Sequence, residues 1–221
     1  MTTVQETAAV RYGMWVLCPA IGAAAVWGLK LAANWVADLS WFPFQGVFRL
    51  VTELPEPWVT IGAPVVGAGL GFVFALIWAA DMLSVDVGHD RVALHRDDRS
   101  FEFTRAEVES AFSEGRQLVL LGTNGAELAR ESTDISASRL EQAFTGQGYR
   151  WRDADPFADD FRLWVEDTPG LPPDVNALLA ARKKAITRYE HGEAAELARE
   201  VRKRGVCVKD KKKRQYYRCA P

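Results

Sequence analysis

The stretch WVTIGAPVVGAGLGFVFALIWAA, Trp58–Ala80, decides the architecture of the chain because it contains no charged residue. An α-helix rises about 1.5 Å per residue, so roughly 20 apolar residues cross the hydrocarbon core of a bilayer. A helix that packs on the core of a soluble domain normally keeps one polar face, and this stretch has none. The stretch therefore predicts a membrane-spanning helix.

A second apolar stretch, GMWVLCPAIGAAAVWGLKLAANWVADL at Gly13–Leu39, precedes it and has Lys30 as its one basic residue. The two stretches predict a transmembrane hairpin at 13–80, with spans at about 14–37 and 58–80. We interpret Lys30 as a side chain that reaches toward the outer interface. The alternative is a functional charge inside the membrane.

Small residues recur four positions apart within both predicted spans. They are Ala20, Ala24 and Gly28 in the first span and Gly67 and Gly71 in the second. This spacing lets two helix backbones approach closely in lipid, where packing drives association. It therefore favours pairing of the two helices, although Gly and Ala are also common in spanning helices that do not pair.

The connection between the spans, SWFPFQGVFRLVTELPEPW at 40–58, is rich in Trp and Phe, which is typical of a membrane interface. Basic residues are more frequent outside the hairpin than in this connection, and such a bias marks the cytoplasmic side. We expect a multi-pass protein of the plasma membrane with both termini, including segment 1–12, in the cytoplasm. A cleavable signal peptide is the alternative. The residues concerned are Arg11, Arg91, Arg96 and Arg99 outside the hairpin and Arg49 within the connection.

Charge is divided unevenly along the rest of the 221-residue chain. Residues 81–173 contain 10 Lys and Arg against 19 Asp and Glu, whereas residues 174–221 contain 14 against 6. An acidic module followed by a basic one predicts a different partner for each. The cysteines and histidines show no metal-ligand spacing, and no nucleophile elbow or phosphate loop occurs, so we expect no enzyme, cofactor or metal site.

Short alternating segments in residues 81–152 predict a small β-rich domain. LSVDVG and RVALHR alternate apolar with polar residues, and QLVLL and AELAR flank Asn124-Gly125, a strong hairpin signal. A helix is predicted over Ile135–Thr145 and a shorter one over Arg105–Ala111. Together these elements indicate a β-rich roll closed by a helix.

The order of the hairpin, VDVGHDRVALHRDD, FTRAEVESAFSEGRQLVLLGTNGAELAR and LEQAFTGQGYRW resembles the bacterial YqeB family of membrane proteins. The resemblance implies that residues 81–152 form a pleckstrin-homology-like domain. Such folds often bind phosphoinositides or peptides through basic loops. Because this module is acidic, we favour contact with a protein over binding of a lipid headgroup.

Residues 153–173 are acidic, aromatic and interrupted by proline. Paired carboxylates can bind a metal or transfer protons, but no histidine accompanies them. We interpret this segment as a linker that packs its aromatic side chains on the middle module.

Residues 174–221 predict two short helices followed by two strands around a basic turn. The segment LLAARKKAITRYEHGEAAELAREVRKRGVCVKD and the closing Tyr217-Arg218 are similar to the C-terminal domain of bacterial cysteinyl-tRNA synthetases. In that family the domain contacts the tRNA anticodon region. The chain departs from the family at Lys211–Arg214, where synthetases usually have Pro, Gly and Thr, and it lacks the HIGH and KMSKS signatures.

The expected fold is thus a membrane α-hairpin plus an α+β part, in which a pleckstrin-homology-like domain precedes a two-helix, β-hairpin domain. Cations bind phosphates, and tyrosines offer stacking faces to bases. The expected RNA- or lipid-contacting residues are Arg182, Lys183, Lys184, Arg188, Lys209, Lys211, Lys212, Lys213, Arg214, Tyr216, Tyr217 and Arg218.

Three interpretations of these basic residues remain open: contact with a structured RNA such as tRNA, contact with the anionic inner leaflet, and a solvated end with no ligand. The first predicts a non-enzymatic, membrane-tethered adaptor for RNA. The alternative function is a membrane-surface scaffold or regulatory protein whose middle domain binds a protein partner.

Overall fold

The computed structural model describes residues 2–5, 8–37, 56–80, 82–96, 99–212 and 214–220. The predicted interfacial connection lies largely outside these residues, as do the side chain of Lys30 and the whole of Lys213. The chain divides into a helical unit, Glu6–Met82, and a sheet unit that comprises Met1–Gln5 and Leu83–Pro221.

The helical unit is formed by α1 (Ala8–Ala37) and α2 (Glu56–Ala80). Within α2, Ile61–Ala79 has a mean hydropathy of 2.0, and among the described residues it is the one helix long and apolar enough to cross a membrane. The apolar part of α1 that the structure describes is shorter, Tyr12–Gly28. Most of the α2 stretch is exposed, since only 11% of it is buried, whereas the core helix of a soluble domain would be covered.

The two helices come closest at glycines, which have no side chain to keep the backbones apart. A Cβ atom at Gly67 would collide with the carbonyl oxygen of Gly22, and one at Gly71 with the carbonyl oxygen of Cys18. Nothing lies within 4 Å of a Cβ built at Gly28. The predicted glycines of α2 are therefore contact residues, whereas on α1 the contact falls on Cys18 and Gly22 and not on the predicted stripe.

The sheet unit begins with strands that lie on both sides of the helical unit in sequence. The strands β1 (Thr2–Val4), β2 (Ser84–Val87), β3 (Arg91–Arg96) and β4 (Arg99–Thr104) form an antiparallel sheet in that order. Val4 is paired with Val85, so the helical unit is an insertion between the first two strands of one sheet.

A second sheet has the order β7-β6-β5-β8, built from β5 (Val108–Glu114), β6 (Gln117–Gly122), β7 (Glu127–Ser132) and β8 (Arg150–Arg152). Both sheets and helix α3 (Ala137–Gly146) share one core and form the middle domain. The helix buries Leu140, Ala143 and Phe144 in that core, as its periodicity predicts. The helix predicted over Arg105–Ala111 is wrong. Residues 105–107 form a turn, and β5 then pairs with both β6 and β8 because tertiary pairing outweighs local propensity.

Strand β6 is buried on both faces, and its alternating side chains enter two different clusters. Leu118 and Leu120 lie in the core of the middle domain, whereas Val119 and Leu121 pack with Phe112 on the opposite face. Phe157 packs against this second cluster, so the interpretation that the aromatic side chains of residues 153–173 pack on the middle domain holds for Phe157.

The remaining elements form a C-terminal domain: β9 (Arg162–Leu163), α4 (Pro173–Thr187), α5 (His191–Lys203), β10 (Val206–Lys211) and β11 (Arg214–Cys219). The sheet order is β10-β11-β9, so part of the predicted linker is the third strand of this sheet. Trp164 is buried in the C-terminal core with Val175 and Leu179, and its Nε1 donates to Asn176 Oδ1 at 3.0 Å. Residues 162–173 are therefore part of this domain and not a free connection.

Candidate nucleic-acid interface

The β10–β11 hairpin has two faces of different character. Residues that are directly paired across an antiparallel ladder point to the same side. Lys209 pairs with Tyr216, Cys207 with Arg218 and Lys211 with Arg214, which places four cations on one face. This set of Lys209, Lys211, Arg214 and Arg218 is called the cationic face below. The opposite face carries Val206, Val208, Asp210, Gln215 and Tyr217.

Arg182 is a buried structural residue and not a surface cation. Its guanidinium donates two hydrogen bonds of 2.7 Å to the Asp210 carboxylate and one of 2.7 Å to Gln215 Oε1. Its Nε donates to the Ala194 carbonyl at 3.1 Å. The side chain thus ties α4 to α5 and to both hairpin strands, and the proposed interface omits it.

Lys209 and Arg218 face the middle domain. The Nζ atom of Lys209 lies 3.0 Å from Glu114 Oε1 and 3.4 Å from Asp155 Oδ2. Arg218 is buried and donates to the Gly125 carbonyl at 2.9 Å, with its guanidinium carbon 4.2 Å from the centre of the Phe157 ring. These two predicted contact residues are engaged inside the protein.

The exposed cations lie at the end of the hairpin and along α4. Lys211, Lys212 and Arg214 are exposed around the turn, where Lys212 has a φ of +52°. Lys183 and Lys184 are exposed on α4 and Arg188 directly after it, and Lys183 pairs with Glu166 at 3.2 Å. Tyr216 is half-buried on the cationic face, whereas Tyr217 packs on the C-terminal core. The structure therefore leaves a smaller cationic surface than the sequence predicts.

A groove of about 630 Å³ opens in the C-terminal domain beside these cations. Its lining includes the cations Lys183 and Arg214 and the apolar residues Leu163, Val165 and Tyr189. In the described part of the sheet unit, these three are the large apolar side chains that remain exposed, and Tyr189 is 73% exposed. Exposed apolar side chains gathered in one groove indicate a contact surface.

Tyr189 is the residue at which the chain leaves α4 beside this groove. Its φ is +63°, and its backbone N and that of Glu190 donate to the Ile186 and Ala185 carbonyls, a common turn at helix C-termini that usually has glycine at this position. Its ring centre lies 6.4 Å from that of His191 in an edge-to-face arrangement. Sequence reasoning missed both residues because Tyr189-Glu190-His191 resembles an ordinary helix break. The sequence feature that could have pointed to Tyr189 is an aromatic residue at the end of a helix rich in basic residues.

The acidic and basic modules pair with each other, so some of their charges are used inside the protein, and a separate partner for each stays a prediction. Besides the contacts of Lys209, Arg199 lies 3.5 Å from Glu131, and Arg99 pairs with Glu196. Burial alone would raise the pKa of Glu114, but hydrogen bonds from Arg130 and Lys209 outweigh it and hold that pKa below its ordinary value. Glu114 is therefore an ionised partner at neutral pH.

Comparison with known proteins finds a similarity for each part of the sheet unit. The family model of the YqeB-like bacterial PH domain matches residues 2–152, which includes β1 and the whole helical unit. The chain belongs to the YqeB-like family. It is 32% identical over 220 residues to the uncharacterized protein YqeB of Bacillus subtilis (strain 168), covering 99% of this chain and 92% of that protein.

The C-terminal domain has a separate similarity. The family model of the cysteinyl-tRNA ligase anticodon binding domain matches residues 168–218. That range begins before α4 and contains the groove residue Tyr189, all of β10 and β11 as far as Arg218. No solved structure matches the chain.

Proposed function

We propose that this YqeB-like protein is a non-enzymatic adaptor that is held in the membrane by its helical unit and contacts RNA through its C-terminal domain. The observation that carries the proposal is the exposed cationic turn beside the groove, within a domain similar to an anticodon binding domain. The proposed contacts are Lys183, Lys184, Arg188, Tyr189, Lys211, Lys212, Lys213, Arg214 and Tyr216.

The chemistry of this surface suits an unpaired strand of RNA. Lys211, Lys212 and Arg214 offer positive charge to phosphates, and each phosphate contact releases counterions. Tyr189 offers an exposed ring, and stacking of a base on an aromatic side chain contributes roughly 1–3 kcal/mol. Lys183 and Arg214 line the groove together with Tyr189, so both interactions are available in one place.

The proposed membrane attachment uses both helices as a hairpin with the sheet unit in the cytoplasm. Large apolar side chains of α2 are exposed, and lipid would cover them. Because β1 and β2 belong to one sheet, the segments that enter and leave the helical unit are on the same side of any membrane it crosses. This connectivity supports an even number of spans.

A full-length protein in detergent micelles provides the test, with fluorescently labelled bulk tRNA as the probe. We expect Lys211→Ala/Lys212→Ala/Arg214→Ala to weaken binding about tenfold or more near 150 mM salt and to make the salt dependence shallower. The control is Arg91→Ala/Arg116→Ala/Arg150→Ala, which removes three exposed cations of the middle domain.

An equal loss in both triple variants would mean that only net charge matters, and the proposed site would then be abandoned. Undetectable binding of the wild type at low salt would remove RNA contact altogether. Retained binding to vesicles that contain anionic lipid, lost in the turn variant, would then favour contact of this surface with the membrane.

A further inference from the structure

We propose that the segment 153–161, together with Glu114, mimics nucleic acid and covers half of the cationic face, which lowers the affinity for RNA. This inference rests on the proposed function and adds its regulation. It concerns Lys209 and Arg218, which belong to the same face as the exposed Lys211 and Arg214.

Segment 153–161 and Glu114, called the cover below, divide the cationic face into an exposed half and a covered half. Lys211 and Arg214 are exposed at the turn, whereas Lys209 is largely buried and Arg218 is 4% exposed. All four side chains point to the same side of the hairpin, because alternate residues of each strand share a side and the pairing of Lys211 with Arg214 places both sets together. A strand that bound along the whole face would need the positions that the cover occupies.

The cover presents the two chemical groups that nucleic acid presents. The carboxylates of Glu114 and Asp155 lie 3.0 and 3.4 Å from Lys209 Nζ, in the manner of phosphate oxygens. The Phe161 ring centre lies 4.0 Å from the same Nζ, and the Phe157 ring centre lies 4.2 Å from the guanidinium carbon of Arg218. A single strand of nucleic acid likewise offers anionic phosphates and flat bases to the cations of a protein.

The match at Arg218 is incomplete. Its Nη2 donates to the Gly125 carbonyl at 2.9 Å and to Cys207 Sγ at 3.5 Å, while its buried Nε has no hydrogen-bond partner among the described residues. A buried charged donor without a partner is costly, and a phosphate would supply the missing acceptor. A bound strand would therefore offer this cation an acceptor that the covered state does not provide.

Opening of the cover is compatible with folding of each domain because their cores are separate. The middle domain has its own cluster around Phe144, and the C-terminal domain has another around Leu179. The apolar link that the structure shows at the cover is Phe157 against Phe112, Val119 and Leu121. Competition for the cations can thus separate the segment from the hairpin without unfolding either core.

The experiment compares Glu114→Gln/Asp155→Asn with a matched control, Asp174→Asn/Glu200→Gln, in the full chain with labelled bulk tRNA. The control also neutralises two carboxylates that pair with cations of the C-terminal domain. These cations are Lys203 at the end of α5 and Arg204 directly after it, and neither belongs to the cationic face. We expect the first variant to bind about fivefold more tightly near 150 mM salt, with a salt slope steeper by roughly 0.7–0.9 for each phosphate gained.

Each outcome decides the proposal. An increase in affinity that the control reproduces would show a general charge effect and overturn it. Unchanged affinity in a folded Glu114→Gln/Asp155→Asn variant would leave RNA contact standing and remove the cover. Absence of binding in both wild type and variant would remove both ideas. Phe161→Leu, which keeps the charges and loses a ring contact, gives a second reading if the double variant is poorly folded.

Discussion

Two interfaces in this protein are built from opposite kinds of contact. The helices of the helical unit meet at Gly22, Gly67 and Gly71, where backbone touches backbone. The two domains of the sheet unit meet through ion pairs such as Lys209–Glu114 and through cations on aromatic rings. The first interface depends on the absence of side chains, and the second depends on long charged ones.

The difference agrees with the membrane attachment that we propose for the helical unit. In lipid, burying apolar surface gives no gain, so close packing would have to hold its helices together. In water, partly buried ion pairs add specificity but little net stability, and they respond to salt and pH. The helical unit should therefore be sensitive to volume and the domain interface to charge.

The largest effect is expected from Gly71→Leu. The new side chain would collide with the Cys18 carbonyl and the Pro19 backbone, which cannot move without separating the helices. Overpacking typically costs about 1–3 kcal/mol and occasionally more, and we expect a collision with backbone atoms to lie at the upper end of that range. Thermal aggregation of the detergent-solubilised protein, followed by size-exclusion chromatography, measures the loss.

The matched control is Gly69→Leu, because nothing lies within 4 Å of a Cβ at that position of the same helix. It should leave the aggregation temperature nearly unchanged. If both variants aggregate alike, helix propensity or lipid contact dominates, and the glycine contact is not what holds α1 and α2 together.

A somewhat smaller effect is expected from Arg182→Ala. It removes all hydrogen bonds from Arg182 to Asp210, Gln215 and the Ala194 carbonyl, although Asp210 is partly solvated. Hydrogen bonds to a charged group contribute about 1.5–3 kcal/mol, so we expect a loss of about 2–3 kcal/mol in chemical denaturation. Lys183→Ala, the next residue of α4, loses only an exposed pair and should cost less than about 1 kcal/mol.

The contrast between Arg182 and Lys183 shows where sequence reasoning stopped. The sequence could predict the apolar stretch of α2, strands β2, β3, β6 and β7 of the middle domain, α3 and the β10–β11 hairpin, because each has a local period or turn signal. It did not predict β1, β5 or β8. It could not separate interior from surface cations in Arg182-Lys183-Lys184. That assignment depends on which side of α4 meets Asp210, and a distant strand determines it.

The docking of the two domains was equally invisible in the sequence. An acidic module and a basic module can attract each other or two other molecules, and net charge alone does not distinguish these cases. The aromatic, acidic segment around Phe157 carried the relevant signal. Its rings pack against β5 and β6 and beneath Arg218, so its composition served an internal contact.

A pH-dependent effect should appear at Glu114, which contacts Arg130 of the middle domain and Lys209 of the C-terminal domain. The pKa of Glu114 is below its ordinary value of 4.5 in the folded protein, so its contribution to stability is present above about pH 4.5 and is lost as the pH falls below that value. The difference in melting temperature between wild type and Glu114→Gln should be greatest near pH 6 and shrink toward pH 3. A difference that is constant over this range would show that the carboxylate charge of Glu114 does not act at the interface.

The smallest effect on stability is expected from Tyr189→Gly, and it should be favourable. Gly22, Gly67 and Gly71 occur where contact demands glycine, and Gly125 and Gly205 where φ is positive. Tyr189 also has a positive φ but keeps a large, exposed ring. Relief of this conformation should stabilise the protein by less than about 1 kcal/mol.

The same substitution should weaken RNA binding because a base loses its stacking surface, by about 1–3 kcal/mol if one base is involved. Denaturation and tRNA titration would therefore move in opposite directions for one variant. Tyr189→Phe, which keeps the ring, should retain binding and the original stability. If Tyr189→Gly is more stable and binds RNA as well as the wild type, the ring is not a contact and the strain at this position requires another explanation. Opposite signs in the two measurements would instead show that a conformation unfavourable to folding is retained because it holds the ring in the groove.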